Sequence, residues 1–216
     1  MRAGAAAAEH RGSGGNRGFE TAAAARRRAR RRTAGDRPFR IDLSGKQPNA
    51  LLEIGAILKQ RGLKPLIVYI GSFIRGVDKV EEEFHARATE LGIADDVIVS
   101  GFVASDHEVF GLFSEVDAFC YPLDEGLTAR RSSVLTCVQS GQPLIVTGPA
   151  LPEEFDHHPR FKELIDRGAI VLVARGSDDE VYADRIVSAL KWPHGATPFD
   201  FDGWWKDVAE AVRAQL

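Results

Sequence analysis

The residues best suited to chemistry lie in one short loop and at the start of the helix predicted to follow it. Gly126 lets a backbone come close to a ligand, and the first turn of a helix offers free N–H groups and a positive dipole end. Arg130 and Arg131 add two positive charges there, where a cation is unfavourable unless an anion offsets it. Ser132 and Ser133 add hydroxyl donors. This combination favours a phosphate-bearing ligand.

Glu125, in the same loop, has a different preference, because a carboxylate repels phosphate but accepts hydrogen bonds from sugar hydroxyls. A phosphorylated polyol such as a nucleotide sugar would satisfy the arginines, the serines and this glutamate together. The alternative is a solvated loop followed by an ordinary helix start, and the residue types alone leave both interpretations open.

The elements that must position this loop form one β-α-β unit. Asp117–Tyr121 is a short apolar run, which predicts a strand buried on both faces. Leu123–Thr128 is the loop, and from Ala129 apolar residues recur at helical spacing as far as a C-cap at Gly141. Pro143–Val146 is the next buried strand. Such a loop faces the carboxyl end of a parallel sheet, where open α/β folds bind ligands.

The rest of the chain alternates in the same way. Strands are predicted at Phe39–Leu43, Leu66–Gly71, Val97–Phe102 and Ala169–Ala174. Helices are predicted from Pro48, over Val77–Leu91, over Ser105–Val116 with a Ser105–Glu108 capping box, from Ser177 through Leu190, and within the closing Phe199–Leu216 segment. Gly148–Pro159 is predicted to be a loop. The pattern indicates an α/β fold, a single Rossmann-like three-layer domain with a parallel sheet of about six strands.

Several functional classes lack their motifs. The sequence has no G-x-G-x-x-G, no G-x-x-x-x-G-K-[ST] and no G-x-S-x-G, which disfavours dinucleotide oxidoreductase, P-loop and α/β-hydrolase chemistry. No apolar run approaches the length of a membrane span. Cys120 and Cys137 fall in a strand and a helix, which predicts free buried thiols and a cytoplasmic protein. His157 and His158 are interpreted as a surface turn rather than metal ligands.

Charge divides the chain into two parts. The first 35 residues hold nine arginines and two glutamates, which gives them a charge of +7. Because the net charge of the whole chain is −3, the remaining residues carry a charge of −10. Residues 1–37, rich in Ala, Arg and Gly, are predicted to be a disordered tail, and residues 38–216 to be the folded domain. The tail is interpreted as a polybasic arm for nucleic acid or an anionic membrane, as a transit peptide, or as sequence that is not natively translated. The acidic body argues against a nucleic-acid-binding surface there.

The central unit carries a series of short motifs in a fixed order. They are Tyr121-Pro122 at the end of an apolar strand, Glu125-Gly126 before a helix, Ser140-Gly141-Gln142-Pro143 after it, and the strand Leu144–Thr147. This order resembles the nucleotide-sugar-binding C-terminal domain of the GT-B glycosyltransferases, in particular the retaining "glycosyl transferases group 1" (family 4-like). The family pattern is an aliphatic strand ending in Pro, then Glu-Gly, a helix, small-Gly-x-Pro, and an aliphatic strand ending in Thr. The resemblance covers the chain from Phe39 to Leu216.

The resemblance implies roles for individual residues. Lys46, and less directly Arg40, would contact the donor diphosphate together with the backbone around Gly126 and Leu127, although Lys46 also suits a solvated position. Glu125 would be the catalytic-site residue that orients the sugar. The other implied donor-binding residues are Gly71 and Arg75 beside base and phosphates, Gly101, Phe102 and Val103 beside the nucleotide base, and Arg130, Arg131 and Ser133 at the helix start.

Five residues depart from the family pattern or have no single assigned role. Ser133 stands where the family commonly has a second Glu that holds the ribose, which weakens the prediction of ribose recognition. Glu153 and Glu154 replace a Gly-Gly-x-x-Glu turn and receive no role. Trp204 and Trp205 are interpreted as core residues or as part of an interface with a partner.

The resulting hypothesis is the donor-binding half of a retaining glycosyltransferase. It uses a nucleotide-diphosphate sugar as donor substrate and needs no cofactor and no metal. The acceptor and a further catalytic group would come from an N-terminal domain or a partner chain, so whether this chain turns over alone is left open. A non-catalytic nucleotide- or phosphosugar-binding module that regulates or scaffolds a partner is the alternative, and nucleic-acid binding through the tail is a third possibility.

Overall fold

The structure is a computed structural model, and it describes residues 39–42, 48–73, 79–191 and 201–213. The predicted tail, the boundary at residue 37, Lys46 and Arg75 therefore lie outside the described residues. Of Arg40, only the backbone is described.

Strands and helices alternate along the described chain. The strands are β1 (Phe39–Asp42), β2 (Pro65–Tyr69), β3 (Val97–Val99), β4 (Ala118–Tyr121), β5 (Leu144–Thr147) and β6 (Ile170–Val173). The helices are α1 (Pro48–Gln60), α2 (Val80–Glu90), α3 (Asp106–Phe113), α4 (Ser132–Gln139), α5 (Pro159–Asp166), α6 (Asp179–Ala189) and α7 (Phe201–Arg213). Short 3₁₀ turns lie at Ala94–Asp96 and Pro152–Phe155.

The six strands form one parallel sheet in the order β3-β2-β1-β4-β5-β6. This is the doubly wound order, and β1 and β4 are the neighbours at which the direction of winding reverses. Ile41 in β1 pairs with Ala118 in β4, and Phe119 in β4 pairs with Leu144 in β5. The predicted fold class, a Rossmann-like α/β domain with about six parallel strands, is confirmed.

Helices cover both faces of the sheet. Side chains alternate along β4, so Cys120 packs with α1, α2 and α6 on one face, and Phe119 and Tyr121 pack with α3, α4, α5 and α7 on the other. All four residues of β4 are buried, which is why this strand reads as a continuous apolar run. Both cysteines are free and buried, as predicted.

Trp204 belongs to the core. Its ring lies edge-on to Phe161, with ring centroids 5.1 Å apart, and stacks on His158. Arg160 and Asp207 join α5 to α7 through an ion pair of 2.5 Å. The core interpretation of this tryptophan is therefore confirmed, whereas only the backbone of Trp205 is described.

The structure corrects several predicted boundaries. The strand predicted over Leu66–Gly71 ends at Tyr69, and the strand predicted over Val97–Phe102 ends at Val99. The backbone at Gly71 and Gly101 has positive φ, 149° and 72°, which takes the chain out of the regular strand conformation. Both glycines thus lie in the loops at the carboxyl edge of the sheet.

Two helix predictions also change, and one further helix is present. The helix expected from Ala129 begins at Ser132, after a turn. Ser105 is the N-cap of α3 as predicted, but its side chain makes no capping hydrogen bond, so the capping-box prediction is wrong. Helix α5 was not predicted; it begins at Pro159, where a loop was expected to end, and buries Phe161 and Leu164. Among the helices described, none combines the length and the hydropathy that a membrane span requires.

Candidate functional site

The candidate loop, Pro122–Arg131, follows β4 and so lies at the carboxyl edge of the sheet, beside the point where the winding reverses. This is where open α/β sheets bind their ligands. The segment after β1, which contains Lys46, follows the neighbouring strand but lies outside the described residues. The topology therefore brings the carboxyl ends of β1 and β4 to the same edge.

Gly126 has the backbone geometry that the sequence suggested, but the close approach is internal. Its φ is +77°, and a Cβ placed there would lie 2.2 Å from the carbonyl oxygen of Gly148. Its N–H donates to the carbonyl oxygen of Leu123 at 3.1 Å and closes a tight turn. Gly126 therefore lets the loop pack against the end of β5.

Thr147, the last residue of β5, holds the loop at two points. The hydroxyl Oγ1 of Thr147 accepts from the N–H of Leu123 at 2.7 Å, and its carbonyl oxygen accepts from the N–H of Leu127 at 2.9 Å. Leu127 is fully buried, so its side chain supports the loop from beneath and does not face a ligand. From the sequence, Thr147 is only the last residue of a motif and has no predicted role.

Glu154 contributes a contact that sequence reasoning missed. Its Oε1 accepts from the N–H of Ala129 at 3.1 Å, in the turn that leads into α4. A carboxylate is favourable at the start of a helix, so this acid stabilises the turn. It also occupies one of the N–H groups that the sequence offered to a phosphate. An acidic pair in a loop was the only signal, and it does not identify a partner 25 residues away.

The charged side chains of the loop divide into paired and unpaired groups. Arg131 donates from Nη2 to Glu125 Oε2 at 2.9 Å, and the glutamate side chain remains 71% exposed. Arg130 is exposed, and it forms no ion pair with any residue in the described ranges. Ser133 is exposed in the first turn of α4. The guanidinium of Arg175, after β6, lies 3.4 Å from the carbonyl oxygen of Asp124.

A second group of predicted residues meets at the ends of β2 and β3. Ser100 Oγ accepts from the N–H of Gly71 at 3.0 Å and donates to the carbonyl oxygen of Gly101 at 2.9 Å. Ser100 is buried, and this bond pattern joins the two predicted glycine loops. The side chain of Phe102 is 81% exposed, and Val103 is half-buried. Phe102 thus presents a free aromatic face at the carboxyl edge.

Other ionisable groups near this edge have shifted pKa values. Burial, then Glu53 and Asp178, raise the pKa of Asp179 at the start of α6. Burial is also the main reason why the pKa values of Tyr182 and Cys120 are raised. Within the described ranges, no group of three or more His, Cys, Asp and Glu residues is arranged to hold a metal ion.

No protein-family model and no curated protein matches this chain.

Comparison with solved structures identifies the fold. The C-terminal domain of a glycosyl transferase group 1 family protein (LpcC) from Francisella tularensis matches with a TM-score of 0.53 at 18% identity, over 69% of this chain and 74% of that domain. The lipopolysaccharide outer core galactosyltransferase WaaB matches with a TM-score of 0.59 at 17% identity, over 85% of this chain and 51% of its own. Anabaena Alr3699/HepE, solved with UDP-glucose, matches with a TM-score of 0.56 at 17% identity, over 71% of this chain and 39% of HepE.

These similarities confirm the fold that the resemblance implied, which is that of the C-terminal domain of GT-B glycosyltransferases. The chain spans about half of WaaB and well under half of HepE.

Proposed function

We propose that this chain is the donor-binding domain of a glycosyltransferase and that it binds a nucleotide-diphosphate sugar for retaining transfer. The observation that carries the proposal is the loop after β4, which is fixed at the switch point of the sheet and carries Arg130, a cation with no ion-pair partner among the residues that the structure describes. A solved protein of the same fold is in complex with UDP-glucose, which supports this class of ligand.

The spacing of the strands suits a ligand that spans the site. Three strand spacings separate β3 from β4, which amounts to about 14 Å at about 4.8 Å each. That distance is comparable to the length of an extended nucleoside diphosphate. The base would lie at Phe102 and Gly101, the diphosphate at Arg130 and the start of α4, and the sugar at Glu125.

Ligand binding would change the ion pair between Arg131 and Glu125. An exposed ion pair contributes only about 0–1 kcal/mol, so a diphosphate can replace the carboxylate as the partner of Arg131 at small cost. Glu125 is then released to accept hydrogen bonds from the hydroxyls of the sugar. The loop would thus couple diphosphate binding to sugar recognition.

Retaining transfer of this kind depends on positioning and on stabilising charge in an oxocarbenium-like transition state as the nucleoside diphosphate departs. In this proposal the chain supplies the donor side, with Lys46 as a further diphosphate contact. The acceptor side would come from another domain or from a partner chain. Metal and cofactor are not needed for this scheme.

The test is calorimetric titration of the full chain with UDP, GDP, ADP and TDP. We expect selective binding of one diphosphate, weakened about tenfold or more by Arg130→Ala, since hydrogen bonds to charged groups are the strong ones. Lys46→Ala is expected to act in the same direction. Arg185→Ala, which removes an exposed charge on α6, is the matched control and should leave affinity unchanged.

Glu125→Ala separates the sugar from the diphosphate. We expect it to weaken binding of the full nucleotide sugar but not of the free diphosphate. A folded chain that binds none of the four diphosphates would contradict the proposal. Binding without transfer, even when an acceptor-binding partner is supplied, would favour the regulatory or scaffold module over the enzyme.

A further inference from the structure

Tyr182 lies on α6, yet its hydroxyl reaches the end of β5. The oxygen atoms of the Tyr182 and Thr147 hydroxyls are 2.6 Å apart, and both side chains are buried. Thr147 in turn accepts from the N–H of Leu123 in the candidate loop. A continuous chain of hydrogen bonds therefore runs from a helix on one face of the sheet to the backbone of the loop.

The residues at the two ends of this series of hydrogen bonds belong to different parts of the core. Tyr182 packs with Cys120, Ile145 and the α1 residues on one face, whereas Leu123 and Leu127 pack with the helices on the other. Thr147 stands between them at the edge of the sheet. Glu154, Arg175 and the close approach of Gly126 to Gly148 are further contacts of the loop.

The chemistry of the threonine explains why a second hydroxyl matters. A hydroxyl oxygen that accepts from a buried N–H keeps its direction only if its own hydrogen bonds are also fixed. Tyr182 provides that fixed partner. Without it, the Thr147 hydroxyl can rotate, and the Leu123 N–H is left with a poorly directed acceptor in a buried position, where an unmade hydrogen bond is costly.

We propose that Tyr182 is a positioning residue for the donor site: by fixing the Thr147 hydroxyl, its own hydroxyl holds the loop Pro122–Arg131 in the shape that binds the diphosphate. The inference rests on the proposed function for the identity of the ligand. Its structural part, that Tyr182 controls the loop, stands on the hydrogen-bond geometry alone.

The experiment compares Tyr182→Phe with Tyr121→Phe in the full chain. Tyr121 is also buried, and its hydroxyl lies 3.2 Å from the sulfur of Cys137 in α4, so the control loses the same kind of group at a contact with a helix side chain and keeps the Thr147–Tyr182 hydrogen bond. The readouts are thermal unfolding, amide hydrogen exchange of residues 122–131 and titration with the diphosphate that the wild-type chain prefers.

We expect Tyr182→Phe to speed exchange of the Leu123 amide about 3- to 10-fold and to weaken diphosphate affinity by a similar factor, as for loss of one net hydrogen bond. Tyr121→Phe should lower the unfolding temperature comparably and leave loop exchange unchanged. Equal loop exchange in the two variants would overturn the positioning role.

Variants of Thr147 test the same chain of hydrogen bonds from its centre. Thr147→Ser keeps the hydroxyl and should keep slow exchange at Leu123, whereas Thr147→Val removes it and should speed exchange at least as much as Tyr182→Phe. Slow exchange in Thr147→Val would contradict the inference. A wild-type chain that binds no diphosphate contradicts the proposed function instead, and the exchange data still decide whether Tyr182 holds the loop.

Discussion

The loop after β4 is held from three sides, whereas the segment after β3 leaves its largest side chain in solvent. Thr147, Glu154 and the contact with Gly148 fix the first. The second has one buried anchor, Ser100, and beyond it Phe102 is 81% exposed. Both segments follow strands of the same sheet and both contain a glycine with φ above +70°. The difference lies in what each backbone packs against.

The contrast between the two segments fits the two parts of the proposed ligand, the sugar diphosphate and the base. Phosphate and sugar recognition needs donors and acceptors at fixed positions, and a loop ordered before binding loses less entropy when the ligand arrives. A nucleobase can be held by stacking on an aromatic face, which tolerates more freedom. The loop Pro122–Arg131, which we call the fixed end of the site, would determine affinity for the diphosphate. The segment 100–104 after β3, which we call the open end, would contribute contact area to the base.

The largest effect is expected at the two glycines. Gly126→Ala adds left-handed strain and drives a Cβ into the Gly148 carbonyl, so we expect a loss of about 2 kcal/mol or more in the free energy of unfolding. Gly101→Ala has nearly the same φ but nothing within 4 Å of the added Cβ, so strain alone should cost about 1 kcal/mol. Chemical denaturation measures both. Equal losses would show that the loop after β4 is no more tightly packed than the other.

Phe102→Ala tests the open end. Because this side chain is exposed, we expect its removal to leave stability within about 0.5 kcal/mol. Loss of stacking should weaken nucleoside diphosphate binding about 3- to 10-fold while leaving pyrophosphate binding unchanged. Leu151→Ala, another exposed apolar residue, is the control for general loss of apolar surface. Equal weakening by both variants would remove Phe102 from the site.

Glu154→Gln should produce a smaller change with the opposite sign. Glutamine can still accept from the Ala129 N–H, but it removes a negative charge from the start of α4. We expect diphosphate affinity to rise about 2- to 5-fold at low salt, and the gain to shrink as salt is added. Glu153→Gln, at the exposed neighbouring position, should give a smaller gain. A loss of affinity in Glu154→Gln would mean that the carboxylate itself is needed to hold the turn.

The smallest expected effect is a pH dependence of the stability, which comes from His158. Burial, and then His157, lower the pKa of His158 below its ordinary 6.5, although Glu154 opposes this. The unfolded chain therefore binds a proton first, and stability from this residue is lost as the pH falls below about 6.5. Thermal unfolding at about pH 7.5 and pH 5.5 should show a smaller acid-induced drop in His158→Gln than in the wild type. An equal drop would remove His158 as a contributor.

The sequence predicted the strands of the fixed end well, because buried parallel strands read as apolar runs bounded by Pro and Gly. It also placed Gly126, Glu125 and the two arginines in one loop. It missed α5, whose apolar residues Phe161 and Leu164 are few and lie among charged neighbours that resemble a solvated loop.

The contacts that fix the loop could not be read from the sequence, because they join distant residues. Glu154 meets Ala129 across 25 positions, and Tyr182 meets Thr147 across 35. Local patterns specify each element, but only the order of the strands decides which element ends meet. The ion pair of Arg131 with Glu125 is local, yet the residue types alone suggested that each faces a ligand.

The most direct test of the two-ended site is amide hydrogen exchange of the full chain, with and without the diphosphate that it binds most tightly. We expect binding to slow exchange in two separate segments, residues 122–134 and residues 100–104. The larger change is expected in residues 100–104, because that segment has fewer anchors before the ligand binds. Unchanged exchange in both segments would show that the diphosphate does not bind at this edge of the sheet.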